Sequence, residues 1–255
     1  MDISDEREIL RFENASKTYV SEKFRPVKAL ENINFSLNRG EFVSVIGPSG
    51  CGKSTMLRLA AGLESSSEGQ VYFEGEQVTG PDRRKGFVFQ SYNSFPWLTV
   101  LRNIAFGLDG VGSQERKLKI DKWLSFTGLT EFADSYPKSL SGGMRQRLAL
   151  ARTMVIEPEL LLMDEPFGAL DERIRENMQN LLLEAVSSTR CSVLFVTHDI
   201  REAILLADRV VLLTPRPGKI QKVFESSLTK PRTRKHLKSV EFVSLYEEIL
   251  DQFPN

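Results

Sequence analysis

Residues 47–54 read Gly47-Pro48-Ser49-Gly50-Cys51-Gly52-Lys53-Ser54, a match to G-x-x-x-x-G-K-[ST], and this octet leaves few architectures open. Such a loop needs a strand before it and a helix after it. Glu41-Phe42-Val43-Ser44-Val45-Ile46 precedes it as a buried-strand pattern, and Thr55-Met56-Leu57-Arg58-Leu59-Ala60 follows as a good helix. In that setting the glycines let backbone N–H groups turn inward around phosphate oxygens, and the helix N-terminus adds its positive end. Gly47, Pro48, Ser49, Gly50, Cys51, Gly52 and Thr55 are therefore candidate phosphate-cradle residues. Lys53 is placed to reach the β- and γ-phosphates, and the Ser54 hydroxyl to ligate Mg²⁺. Cys51 reads as a small spacer whose amide, not its thiol, is used.

The rest of the chain supplies partners for that strand. Leu160-Leu161-Leu162-Met163, Ser192-Val193-Leu194-Phe195-Val196 and Val210-Val211-Leu212-Leu213 are apolar runs of strand length. Ile9–Phe12, Ile33–Leu37 and Val71-Tyr72-Phe73 read as strands of an antiparallel edge layer. From about residue 94 to 157 the strand signal disappears. There Leu101, Ile104, Ala105 and Leu108 share a helical face, as do Leu118, Trp123 and Phe126 less regularly. The expected fold class is α/β: a P-loop NTPase (RecA-like) core with an antiparallel β edge layer and an inserted α-helical subdomain. The expected division is a core of residues 1–93 and 158–230, a helical subdomain 94–157, and a C-terminal helical tail 231–255. Pro158 marks the return to the core. The tail opens with a basic run (Arg232, Arg234, Lys235, His236, Lys238) and ends in an amphipathic stripe of Phe242, Leu245, Tyr246, Ile249 and Phe253, expected to pack on the core.

Charge and composition narrow the partners. Lys plus Arg number 34 and Asp plus Glu number 34, a balance that argues against nucleic acid as a partner. No apolar run approaches the ~20 residues needed to cross a bilayer. Met1-Asp2-Ile3-Ser4-Asp5-Glu6-Arg7 lacks the basic start and apolar stretch of a signal peptide, and two cysteines make no disulfide framework. The expectation is a cytosolic chain whose role at a membrane comes through a partner.

A second acidic site follows the Leu160–Met163 run, which ends in Asp164-Glu165. A buried strand finishing there carries Asp164 to the C-terminal edge of the sheet, beside the phosphate loop. Asp164 is then a candidate Mg²⁺ ligand, and Glu165 a candidate to polarise an attacking water. An exposed acidic pair at a strand end is the ordinary alternative; the phosphate loop in the same chain argues against it.

Between the two sites stands Leu140-Ser141-Gly142-Gly143-Met144-Arg145-Gln146-Arg147, opening a helix. Chemically it is a second anion site, with a Ser141 cap and amides left open by Gly142 and Gly143. Leu-Ser-Gly-Gly-x-x-Gln at this place resembles the signature motif of ABC ATPases. The resemblance extends from about residue 9 to 223. Gln90, after Gly86-Phe87-Val88-Phe89, stands where the family has its Q-loop glutamine, a candidate for both the catalytic centre and the metal. Ala169-Leu170-Asp171 resembles the D-loop, and His198 the switch histidine. Tyr19 resembles the aromatic that stacks on adenine, although by position alone it reads as a half-buried strand tyrosine. His236 matches nothing and reads as surface.

The resemblance implies ATP and Mg²⁺ as cofactors and a head-to-tail pair of such chains, each phosphate loop completed by the other chain's signature helix. A homodimer or a pair with a close relative is expected. It further implies an importer ATPase at the cytoplasmic face of the membrane, driving transmembrane permease subunits and served indirectly by a solute-binding protein. Two other readings stay open: a soluble ABC ATPase acting on ribosomes or DNA, and an exporter's ATPase. Phe95-Pro96-Trp97-Leu98-Thr99-Val100 and Pro215-Arg216-Pro217-Gly218 resemble the nitrate, sulfonate and taurine importer subgroup, which suggests a small organic or inorganic anion as solute, with a pyrimidine precursor or another small solute left open. Phe95 and Trp97 are candidates for the groove that receives a permease helix, or for the core of the helical lobe.

Overall fold

The computed structural model describes residues 8–21, 24–90 and 94–254. The signal-peptide reading of residues 1–7 and the subdomain boundary at residue 93 lie outside the described residues. Two long strands, β1 (Glu8–Ser21) and β2 (Phe24–Asn38), pair antiparallel, and β4 (Glu68–Phe73) and β5 (Glu76–Gln77) extend them into a sheet of order β2-β1-β4-β5. The second sheet is built on β3 (Phe42–Ile46), with β6 (Lys85–Val88), β7 (Leu160–Asp164), β8 (Ser192–Val196), β9 (Arg209–Leu213) and β10 (Ile220–Glu225) in the order β10-β9-β3-β8-β7-β6. All its pairings are parallel except that of β10 with β9.

Strand alternation sends side chains into two cores. Val43, Val45, Leu160, Leu162, Leu194 and Val196 meet α1 (Lys53–Ala61) and the antiparallel sheet. Phe42, Ile46, Leu161, Met163, Val193 and Phe195 face the opposite way, toward α4 (Gly142–Met154), α5 (Glu172–Thr189) and α6 (Ile200–Leu206). Both faces are covered, so β3, β7 and β8 are mostly apolar and every residue is buried, Ser44, Asp164 and Ser192 being the polar ones.

Residues 94–157 hold α2 (Val100–Ala105), α3 (Ser113–Phe126) and α4, with short 3-10 turns between them. Ile104, Ala105 and Leu108 pack inward as expected, but Leu108 belongs to a 3-10 turn after α2. Leu118 overturns its expected place in the core, being 64% exposed; α3 buries Ile120, Trp123 and Leu124. The tail helix α7 (Val240–Gln252) buries Phe242, Leu245 and Ile249 against α6. Arg232 departs from the basic run: it is buried, and it donates to the Leu206 carbonyl and to Asp208. His236 is half-buried rather than a plain surface residue, because its Nδ1 accepts the Thr233 amide at 3.1 Å and caps a 3-10 turn. Among the described residues no helix is long and apolar enough to cross a membrane.

Candidate functional site

The phosphate loop leaves β3 at Gly47 and enters α1 at Lys53. Its glycines are required by geometry at two points. Gly47 sits at φ 154, where an added Cβ would stand 2.9 Å from Cys51 Sγ and 3.0 Å from the Leu213 carbonyl. Gly52, the helix cap, sits at φ 106 with a Cβ position 2.8 Å from the Ala29 carbonyl. The Lys53 ammonium folds back over the loop, donating to the carbonyls of Gly47 (2.8 Å) and Pro48 (3.0 Å). Cys51 is buried, and burial pushes its thiol pKa up, in keeping with a spacer.

Ser54 Oγ donates to Asp164 Oδ1 at 2.9 Å, joining residues 110 apart in sequence. Parallel pairing of β7 with β8, and of β8 with β3, brings the two strand ends to the same sheet edge. Asp164 is buried, and desolvation raises its carboxyl above the ordinary aspartate value, although the Ser54 bond opposes the shift. A buried carboxylate facing a hydroxyl is a fitting place for a cation, which would reverse that penalty. Among the described residues no group of three or more His, Cys, Asp or Glu is placed to hold a metal ion.

Glu165 adopts φ 43, a left-handed conformation, where the chain turns away from β7. Its Oε2 gathers two groups: Gln90 Nε2 at 3.4 Å and His198 Nδ1 at 3.2 Å. Gln90 follows β6, and His198 follows β8 by two residues, so three neighbouring strand ends converge on one carboxylate. Tyr19 lies half-exposed on β1, and its hydroxyl meets Glu64 Oε2 (2.7 Å) and Thr55 Oγ1 (3.2 Å), which places the ring beside the first turn of α1.

The signature residues are engaged within their own elements. Ser141 Oγ caps α4 by accepting the Met144 amide at 3.3 Å. Gly143 has no room for a side chain, since a Cβ would stand 2.7 Å from Ile174 Cγ2 on α5. Asp171 caps α5, its Oδ1 accepting the Ile174 amide at 3.0 Å. Lys53, Ser54, Asp164, Gln90, Glu165 and His198 thus form two adjoining polar clusters, while Ser141 and Asp171 cap a separate pair of packed helices, with Gly142 and Gly143 in the first turn of one of them.

Sequence reasoning missed the underside of the loop. Gly218 donates its amide to the Ala29 carbonyl at 2.9 Å, and its carbonyl accepts the Glu31 amide at 3.0 Å. A Cβ on Gly218 would lie 2.0 Å from the Cys51 carbonyl, so the 215–218 segment is pressed against the phosphate loop. The one signal was a glycine between prolines and a strand. Trp97 is 70% exposed, which excludes it from the helical core. Phe95 is half-buried, with Phe106 4.4 Å and Trp97 5.5 Å away and the Arg152 guanidinium 4.7 Å from its ring.

Comparison with known proteins agrees with this geometry. Residues 30–168 match the family model described as ABC transporter. The aliphatic sulfonates import ATP-binding protein SsuB of Bacillus cereus (strain ATCC 10987) is 46% identical over 235 residues, 92% of each chain. An uncharacterized ABC transporter ATP-binding protein of Methanocaldococcus jannaschii is 46% identical, covering 95% of this chain and 90% of the relative. Among solved structures, the ATP-binding cassette MJ0796, a dimer in a post-hydrolysis state bound to ADP and Pi, superposes with a TM-score of 0.75 at 33% identity, over 87% of this chain and 100% of that one. The phosphate loop, the carboxylate strand that meets it and the serine-capped signature helix occur together here, and the chain belongs to the ABC transporter family as one of its ATP-hydrolysing cassettes.

Proposed function

We propose that this chain energises the uptake of a small anion of the nitrate, sulfonate or taurine type through separate membrane permease subunits. The observation that carries this reading is its 45–46% identity, over 92–94% of both chains, to proteins named as aliphatic sulfonates import ATP-binding proteins. In this reading Lys53 leaves its loop carbonyls to neutralise the β- and γ-phosphates, and the amides of residues 49–55 surround them. Tyr19 offers its half-exposed face to adenine. Ser54, Asp164 and Gln90 would hold Mg²⁺, which would supply charge neutralisation at the phosphates. Glu165 orients the attacking water and accepts its proton, Gln90 fixes one side of that water, and His198 contacts the γ-phosphate.

One chain carries half of each working site. Ser141, Gly142, Gly143 and Asp171 face the nucleotide of a second cassette, so the active species is a homodimer or a pair with a close relative. That the MJ0796 cassette was solved as a dimer supports this. The helical residues 94–157 carry the signature helix, residues 1–93 and 158–230 the ATPase core, and 231–255 a packed tail. The exposed Trp97 and Phe106, each packed on the half-buried Phe95, form an aromatic platform suited to a permease helix. The cassette sits at the cytoplasmic side of the membrane, and a solute-binding protein acts on the far side. Affinity purification in mild detergent tests the assembly. A multi-span membrane protein in stoichiometric yield is expected, and ribosomes or DNA in its place would contradict the reading.

A further inference from the structure

Four residues beyond His198, α6 buries a carboxylate: Glu202 is 6% exposed. Its Oε2 accepts from Thr197 Oγ1 at 2.5 Å, and its Oε1 accepts from Gln179 Nε2, on α5, at 2.9 Å. Thr197 immediately precedes His198. Its Oγ1 in turn accepts the amide of Asp199, the residue immediately after His198, at 3.1 Å. A threonine hydroxyl has one proton; given to Glu202, it leaves the lone pairs free for that amide, and so the direction of both bonds is fixed. Asp199 Oδ1 closes the turn by accepting the amides of Arg201 (2.8 Å) and Glu202 (3.2 Å). The peptide unit after His198 is therefore held by the hydroxyl of the residue before it, which Glu202 orients.

A buried carboxylate is a poor device for stability alone. Its desolvation is only partly offset by two hydrogen bonds, and an apolar residue of similar volume often serves as well. Burial pushes the Glu202 pKa up, aided by nearby Asp199 and opposed by the Thr197 and Gln179 bonds and by Arg175. What an apolar residue cannot do is hold the Thr197 hydroxyl in one rotamer. We propose that Glu202 is a positioning residue for His198, acting through Thr197 to set the angle at which the imidazole meets the Glu165 carboxylate. Gln179 anchors the same carboxylate to α5, the helix that Asp171 caps, so the switch histidine is aligned to the D-loop helix and not only to its own strand. The kinetic half of this inference rests on the role given to His198 above; the geometric half does not.

The chain has two histidines, His198 and His236, so the imidazole Cε1–H region of its NMR spectrum holds two resonances, assigned with His198→Ala. In the full-length chain, Glu202→Ala is expected to shift and broaden the His198 resonance and to leave that of His236 in place. Glu202→Gln, which keeps the volume and one acceptor oxygen, is expected to move it less. ATP hydrolysis by Glu202→Ala is expected to lose about tenfold to a hundredfold in kcat, with KM within about twofold. Glu202→Gln should recover part of that loss. An unchanged His198 resonance in folded Glu202→Ala overturns the proposal. A displaced resonance with unaltered kcat supports the positioning and overturns the place of His198 in hydrolysis. If Glu202→Ala does not fold, Gln179→Leu removes one of the two donors, and the same readouts decide.

Discussion

Gly218→Ala tests whether the segment after β9 holds the phosphate loop in shape. An alanine Cβ at this position would lie 2.0 Å from the Cys51 carbonyl oxygen and 3.2 Å from Leu30 Cδ2. The first distance is about 1 Å inside the closest approach carbon and oxygen tolerate, and the atom met is backbone, which cannot swing aside. Gly218 is tied on both sides by its bonds to Ala29 and Glu31, so the loop must yield instead. Overpacking of this kind costs about 1–3 kcal/mol. If the strained loop stays in place, that cost appears as a fall in melting temperature of roughly 2–12 °C, at about 2–4 °C per kcal/mol for a chain of this size. If the loop relaxes, ATP binding must restore it, and the same energy appears as a loss of about 5- to 150-fold in affinity. Scanning calorimetry and ATP titration calorimetry read the two together. Gly80→Ala, where nothing lies within 4 Å of the added Cβ, is the control and should match the parent in both. A Gly218→Ala protein with unchanged melting temperature and unchanged ATP affinity would refute the argument.

Further outcomes follow from the same geometry. Lys53→Ala removes the loop's one buried ammonium and should abolish most ATP affinity by titration calorimetry; wild-type affinity would contradict its placement. Glu165→Gln should keep ATP binding and stall turnover, so that size exclusion with ATP and Mg²⁺ shows a dimer; monomer alone would count against Glu165 as the water-orienting group. Asp208 is pushed up by burial, but bonds from Lys230, the Phe42 amide and Arg232 outweigh this and hold its carboxyl below the usual aspartate range. Its folded value being depressed, its contribution to stability is complete above the unfolded value of about 3.9 and is lost as pH falls through the folded one. Asp208→Asn should therefore lower the melting temperature at pH 7 and flatten its decline below about pH 4; an unaltered acid limb would remove Asp208 from the tail's anchorage.

The legible parts of this molecule were those fixed by neighbours in sequence. Val43 to Lys53 announce strand, loop and helix within a dozen residues, and the Leu160–Glu165 run carries its acidic ending with it. β1 and β2 were read as short pieces because Asn14 (φ 48) and Asn32 (φ 52) break the alternation; register shifts at these points let both strands continue for 14 and 15 residues. β10 was missed because Gln221, Lys222 and Glu225 interrupt its apolar residues, as suits an edge strand. Leu118 looked inward because spacing gives a helical face but not which face the neighbours cover. Gly218 and Cys51, and Glu202 and Gln179, meet only in the folded chain, and no local pattern marks either pair. His236 illustrates the same limit, a basic residue in a basic run whose ring is used as a cap.

On the proposed function, hydrolysis at this site drives uptake of a small sulfonate-type anion. Uptake of a radiolabelled alkanesulfonate into cells that lack this chain, supplemented with the parent or with Glu165→Gln, tests it most directly. Uptake is expected to be restored by the parent and to be absent with Glu165→Gln at equal expression and membrane recovery. Equal uptake with both proteins, or no dependence on the chain at all, would contradict it.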